Sequence, residues 1–228
     1  MFQGFSQETV DFMWGIRFNN ERGWFTEHKE QYQRSFLEPM RELGGELQAG
    51  LAERFPRQPL DLKVSRIYRD ARRLFGRGPY KDHLWLSLFQ GDDQAEEGAR
   101  PVLWFELAPD GWSCGMGFWC AKAVTMEKFR ARMDRDPETM LRLDRALRRQ
   151  SALTLGGPDY ARPKTPSRPE LAAWYNKKSL TVGRDEPLTE LIFTPELKDL
   201  LLEHFTFLMP YYQYFSTLWA DPDPREEH

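Results

Sequence analysis

Cysteine is nearly missing from this chain. The two present, Cys114 and Cys120, are too few for a disulfide framework, and both fall in or beside one predicted strand, where a bond between them is not expected. Histidine is scarce too. His28, His83, His204 and His228 show neither HExxH nor paired spacing, so no metal and no other cofactor is expected. There is no Gly-x-Ser-x-Gly elbow for a serine hydrolase. No Gly-x-Gly-x-x-Gly follows a strand, which removes dinucleotide binding. Long apolar runs are absent: none approaches the ~20 residues a spanning helix needs, and mean hydropathy is -0.68. The opening MFQGFSQETVDFM has neither the basic start nor the continuous apolar stretch of a signal peptide. The expectation is a cytoplasmic protein with no membrane contact. A basic balance is lacking as well. Net charge is -3 and the isoelectric point about 5.9, whereas dedicated duplex binders often exceed ~9. Nucleic acid is therefore a weak candidate partner, and a small anionic ligand stays open.

What the chain has in quantity is aromatic area and charge, at 14% and 29% of 228 residues. A chain of this length buries roughly 70–75% of its unfolded surface and needs no staples. Ser6 caps a predicted helix with Val10, Phe12, Met13 and Ile16 at helical spacing. Asn19 and Asn20 interrupt before a second helix striped by Trp24, Phe25, His28, Tyr32 and Phe36. Pro39 fits the first turn of a third, where Gly44-Gly45 signals close packing against a neighbour. Leu62 to Tyr68 reads as extended, 72–79 as a Gly/Pro loop, Leu84 to Phe89 as a central strand and 91–98 as a surface loop. Two strand-like runs around Pro109-Asp110-Gly111 give a β-hairpin, with Gly115 and Gly117 marking a bulge or a close approach. Helices then open at Thr125, Asp136 and Ser167 (a capping box to Glu170). A short strand is expected near 179–183. Thr194-Pro195-Glu196 starts a last helix that Pro210 kinks or splits. The order of helices, then a mostly antiparallel sheet, then helices predicts an α+β fold. One domain is expected over 1–219, with 220–228 a disordered tail.

The chemistry concentrates in Lys63 to His83, where Lys63, Arg66, Arg69, Arg72, Arg73, Arg77 and Lys81 face only Asp70 and Asp82. In an extended chain, period two puts Arg66, Tyr68, Asp70 and Arg72 on one face and Arg69 on the other. Two guanidiniums, a phenol and a carboxylate on one face suit a phosphate or carboxylate clamp, because guanidinium forks match planar oxyanions. An Arg–Tyr–Asp network fastening strand to helix is the structural alternative. One carboxylate cannot balance every arginine, however, and a buried unpaired guanidinium costs several kcal/mol. Gly76-Arg77-Gly78-Pro79-Tyr80-Lys81 lacks Walker spacing, so a P-loop is excluded; a turn returning Lys81 towards Arg66 and Arg72 is expected instead. His28 reads as packed on the aromatic stripe. Lys177-Lys178 after Trp174-Tyr175 reads as a solvated helix end or a single-strand binding surface.

Asn19-Asn20-x-x-x-Trp24-Phe25-x-x-His28-Lys29-x-x-Tyr32, Arg66-Ile67-Tyr68-Arg69-Asp70-x-Arg72 and Pro79-Tyr80-Lys81 together resemble a widespread bacterial family, domain of unknown function 2461. Pro169-Glu170-Leu171 with Lys177, and Thr194-Pro195-Glu196-Leu197, resemble its C-terminal half. The resemblance runs from about Phe2 to Leu218. It implies an α+β domain and no established activity. The chain departs from the family pattern after Arg72, where Arg73-Leu74-Phe75-Gly76-Arg77 replaces Phe-Ser/Thr-Lys-Asp-Lys and shifts the loop lysines. The candidate ligand set is Arg66, Tyr68, Arg69, Asp70, Arg72, Tyr80 and Lys81, with Asn20 and Trp24 beside it. The candidate function is binding, or enzymatic use, of a small phosphorylated or nucleotide-like metabolite. The alternatives are a nucleic-acid or protein interaction module and a purely structural network.

Overall fold

The structure is a computed structural model that describes residues 1–70, 72, 78–91 and 100–226. Most of the two loops expected at 72–79 and 91–98, and the last two residues of the tail, lie outside the described residues. Four helical segments lead: α1 (Gln7–Phe18), α2 (Arg22–Glu27), α3 (Lys29–Gln31) and α4 (Glu38–Arg54), with a π-helical stretch, Tyr32–Leu37, running into α4. The strands are β1 (Asp61–Val64), β2 (Leu84–Phe89), β3 (Val102–Ala108), β4 (Gly111–Gly117), β5 (Thr154–Gly156) and β6 (Thr181–Glu186). They form one antiparallel sheet in the order β1-β2-β3-β4-β6-β5. Between β4 and β5 lie α5 (Ala123–Arg135) and α6 (Pro137–Arg148); α7 (Ala172–Tyr175) precedes β6, and α8 (Glu196–Ser216) follows it. The fold is α+β, with helices at both ends of the chain.

By packing, the chain divides into two compact units. The first comprises Met1–Leu88, Trp104–Cys114 and Asp185–Glu203. Its core is aromatic: Phe5 stacks on Phe105 at 6.3 Å between ring centroids and meets Phe36 edge-on at 6.4 Å. Each such fully buried side chain is worth about 1.5–3 kcal/mol. The periodic residues Phe12, Met13 and Ile16 of α1 are all buried, as their spacing requires. The Thr9 hydroxyl of α1 donates to the Ser35 carbonyl at 2.6 Å, fixing α1 to the π-helical stretch. Gly44 of α4 admits Leu62 of β1 so closely that an added Cβ would lie 2.8 Å from Leu62 Cδ1, which is the close packing the Gly-Gly pair signalled.

The second unit comprises Phe89–Leu103, Gly115–Arg184 and His204–His228. Phe129 and Phe215 meet at 4.9 Å. Trp174 stacks on Tyr211 at 6.2 Å and donates its indole N–H to Asp144 at 2.8 Å. Arg132 grips Asp221 with Nε and Nη2 at 2.6 and 2.7 Å. Two local expectations change. Pro210 does not split α8, which continues to Ser216; Met209, Tyr211, Tyr212 and Phe215, each no more than 1% exposed, hold the next turn in place. Arg168 takes the Glu170 carboxylate at 3.3 Å, and the helical turn there carries no side-chain cap from Ser167.

Candidate functional site

The candidate residues cluster in the first unit because two motifs pair. Arg69 N–H donates to Pro79 O at 2.8 Å, and Lys81 N–H donates to Ile67 O at 2.7 Å. These bonds flank an antiparallel bridge between Tyr68 and Tyr80. In such a pair the N–H and C=O of the bridged residues point outward, away from the partner strand. Asn20 meets those of Tyr80: its Oδ1 accepts the Tyr80 N–H and its Nδ2 donates to the Tyr80 carbonyl, both at 2.9 Å. Arg69 Nε adds a second donor to that carbonyl at 2.7 Å. Gly78 makes this possible, since a Cβ there would overlap the Asn20 carboxamide. Neighbouring Asn19 closes α1 by donating to Gly15 O at 3.0 Å.

The expected alternation holds along 66–70: Arg66, Tyr68 and Asp70 are exposed, Ile67 is buried and Arg69 partly so. Tyr80 is buried against Phe25, with ring centroids 4.3 Å apart. Tyr68 lies 5.3 Å from Tyr80 and 6.0 Å from Phe25, yet keeps 57% of its surface exposed. The wall continues to Tyr32, first residue of the π-helical stretch, 5.6 Å from Phe25. Burial pushes the Tyr32 hydroxyl up to about 12, with Tyr68 adding and Arg41 opposing. Burial also raises Tyr80, again with Tyr68 adding and Arg22 opposing. Both phenols are therefore neutral donors at ordinary pH.

The balance of charge decides what the cluster can do. Asp82 is its internal counter-ion. It accepts from Arg17 Nε at 2.6 Å and pairs with His83 Nδ1 at 3.0 Å, with Arg69 Nη2 3.8 Å away. The His83 hydrogen bond, and then that of Arg17, hold its carboxyl well below the usual range against an opposing burial cost. Arg17 reaches on to Asp110 at 2.8 Å. Arg72, 88% exposed, is bound by Asp70 through Nε at 3.1 Å and Nη2 at 2.9 Å. Arg22, Arg41, Arg66 and Lys81 have no carboxylate at ion-pair distance among the described residues. Lys81 is half-buried, with its ammonium 5.6 Å from the Trp85 ring centroid. Burial, then Arg69 and Arg66, push it down to about 8, and Glu106 on β3 opposes.

Of the sequence candidates, Asn20, Tyr68, Arg69, Tyr80 and Lys81 come together, with Arg66 close enough to act on Lys81. Asp70 and Arg72 pair with each other on the exposed edge. Trp24 turns towards α1 and stacks on His28 at 3.9 Å, which itself shares a 2.8 Å contact with the Trp24 carbonyl. Sequence reasoning missed Arg17, Arg22, Tyr32 and Arg41 as members, and named Asp82 only as a counter-charge. Tyr32 and Asp82 sat within or beside the motif strings. The three arginines lie outside the dense cationic segment and carry no local signal. Among the described residues, no group of three or more His, Cys, Asp or Glu side chains could hold a metal ion. No helix of the described residues is long and apolar enough to cross a membrane.

No curated protein matches this chain. The paired motifs and the Asn20 clamp all fall inside the 8–214 span that matches a family model described as conserved hypothetical protein (DUF2461), and the chain belongs to that family.

Proposed function

We propose that the cluster around Tyr68 and Lys81 binds the phosphate or carboxylate group of a small metabolite. The observation that carries this reading is Lys81: a half-buried ammonium with no ion pair among the described residues, beside Arg66 and Arg69. Like charges gathered in this way repel unless an anion meets them. Arg66 and Lys81 are the anion ligands, Arg22 is close enough to act on Tyr80 and Arg41 on Tyr32, the phenols of Tyr32 and Tyr80 supply neutral donors, and the Tyr68 hydroxyl adds another donor. The exposed face of Tyr68 offers a ring on which a nucleotide-like base would stack. A lysine whose pKa is about 8 stays mostly charged at neutral pH, as an anion ligand must, and a bound anion holds it so. Arg69 and Asp82 support the structural reading for their own part of the network, as fastenings for Tyr80 and Arg17.

The test is a thermal-shift and calorimetric panel of nucleotides and sugar phosphates. One charge-assisted hydrogen bond contributes about 1.5–3 kcal/mol, so Arg66→Ala or Lys81→Met is expected to weaken binding about tenfold or more. Arg72→Ala, already matched by Asp70, is expected to matter less. A wild-type protein that responds to no anion, or an Arg66→Ala protein that responds equally, defeats the proposal. Affinity for oligonucleotides that falls steeply with salt would replace it with a nucleic-acid role.

A further inference from the structure

The second unit contains a cation with no ion pair among the described residues. Arg130 of α5 is 5% exposed, and both its terminal guanidinium nitrogens are buried without a hydrogen-bond partner among the described residues. Its neighbours are rings: Cζ lies 5.1 Å from the Tyr160 centroid and 6.0 Å from that of Tyr175. A ring face returns only part of the hydration that a buried guanidinium gives up. Native proteins rarely leave such a group unmet without a reason.

Two more cations converge on the same phenol. Lys164 Nζ lies 5.2 Å and Lys178 Nζ 5.8 Å from the Tyr160 ring centroid. Neither has a carboxylate at ion-pair distance among the described residues. The adjacent Lys177 differs, being bound to Gly157 O at 2.9 Å and to Asp159 at 3.0 Å. A second carboxylate at this corner, Asp134, already accepts from the Tyr175 hydroxyl at 2.7 Å and from Ser167 N–H at 3.0 Å.

The backbone beneath these side chains is fixed. Tyr160 N–H donates to Asn176 O at 2.9 Å, and Lys178 N–H donates to Pro158 O at 2.8 Å. The Asn176 side chain takes Lys164 N–H at 2.6 Å and returns a bond to its carbonyl at 3.2 Å. The backbone thus holds the exposed Lys164 and Lys178 beside the ring that also meets Arg130, and none of the three has an ion pair among the described residues.

We propose that Arg130, Lys164 and Lys178 form a second oxyanion site, covered by the ring of Tyr160, for a phosphate or phosphate-monoester dianion. Three positive charges match a dianion better than a carboxylate, and the guanidinium fork suits two phosphate oxygens. Tyr160 is partly exposed, so rotation about its side-chain bonds uncovers Arg130 and leaves the backbone pairing intact. Tyr175 stays as the rear wall, its hydroxyl occupied by Asp134.

Calorimetry with inorganic phosphate on the full chain tests this, at ionic strength held constant with chloride. It is run in an Arg66→Ala/Lys81→Met background, so that the first proposed site does not contribute. Phosphate is expected to bind there still. Adding Arg130→Met should weaken it by about tenfold or more, the cost of one charge-assisted contact. The double variant Lys164→Ala/Lys178→Ala should do the same, and it decides the matter if Arg130→Met fails to fold. The proposal falls if phosphate binding vanishes in the background protein, or survives loss of the lysines undiminished. It also falls if acetate binds as tightly as phosphate. Loss of melting temperature in Arg130→Met, with no phosphate binding by its parent, would leave Arg130 as a ring-stacked structural residue.

Discussion

Replacing Lys81 by methionine removes an ammonium that the first unit half-buries, and the consequence depends on pH with a definite sign. The folded-state pKa is about 8 against an ordinary 10.5. Between these two values the unfolded chain binds more protons than the folded one, so wild-type stability rises with pH through this window. Below pH 8 the burial penalty is fully present; above 10.5 it is gone. At about 1.4 kcal/mol per pKa unit the ceiling is about 3 kcal/mol. Solvent screening of a partly exposed group brings this to about 1–2 kcal/mol. The contact with the Trp85 ring, worth about 0.5–1 kcal/mol, opposes the gain from substitution, so the gap at one pH is a poor test. Its slope is the test. Urea melts of wild type and Lys81→Met at pH 7, 8.5 and 10 are expected to show the mutant's relative advantage shrinking by about 1–2 kcal/mol, or a few degrees of Tm in a chain this size. Saturating the site with an anion should flatten that dependence by keeping Lys81 charged. A gap that stays constant across this range would refute the burial argument, and with it the observation on which the anion site rests.

Asp82→Asn removes the carboxylate that Arg17 holds at 2.6 Å, leaves Arg17 its Asp110 contact, and should cost about 1.5–3 kcal/mol at pH 7. The carboxyl is held well below its ordinary range, so its stabilising effect is present above about pH 4 and lost on acidification; urea melts at pH 7 and 3 should show the gap narrowing. Gly78→Ala and Asn20→Ala disrupt the same clamp on Tyr80, each by about 1–2 kcal/mol, and the double mutant should cost clearly less than their sum. Pro210 is exposed inside α8, and Pro210→Ala should raise stability by about 1–3 kcal/mol, read as a higher urea midpoint at unchanged slope.

Much of the fold was legible because its signals are local. Asp110-Gly111 announced the β3–β4 hairpin, and the periodic Phe12, Met13 and Ile16 gave α1. Gly117 announced a close approach, and its position beside Leu180 leaves no room for a Cβ. A return of Lys81 towards Arg66 was expected from the glycines and proline of 76–79, and Tyr80 does pair with Tyr68. The rest depended on distance along the chain. Arg17 and Asp82 are 65 residues apart, and no pattern near either reports the other. The π-helical stretch that presents Tyr32 depends on tertiary contacts such as Thr9 to Ser35. At Ser167 the local capping pattern was overridden by Arg168, which reaches both Glu138 and Glu170. Continuation of α8 past Pro210 likewise reflects packing that outweighs propensity.

The Asn20 carboxamide has a further effect that concerns other molecules. Tyr80, in a two-residue bridge outside the six-stranded sheet, turns its amide and carbonyl outward as an edge strand does, and such an edge can take up a strand from a second chain. Asn20 occupies that position with the donor and acceptor a visiting strand would bring, and Gly78 keeps the space for it. One short side chain just after α1 thus leaves Tyr80 no free backbone donor or acceptor for a second chain next to the cationic cluster. Loss of that side chain would surface as concentration-dependent aggregation.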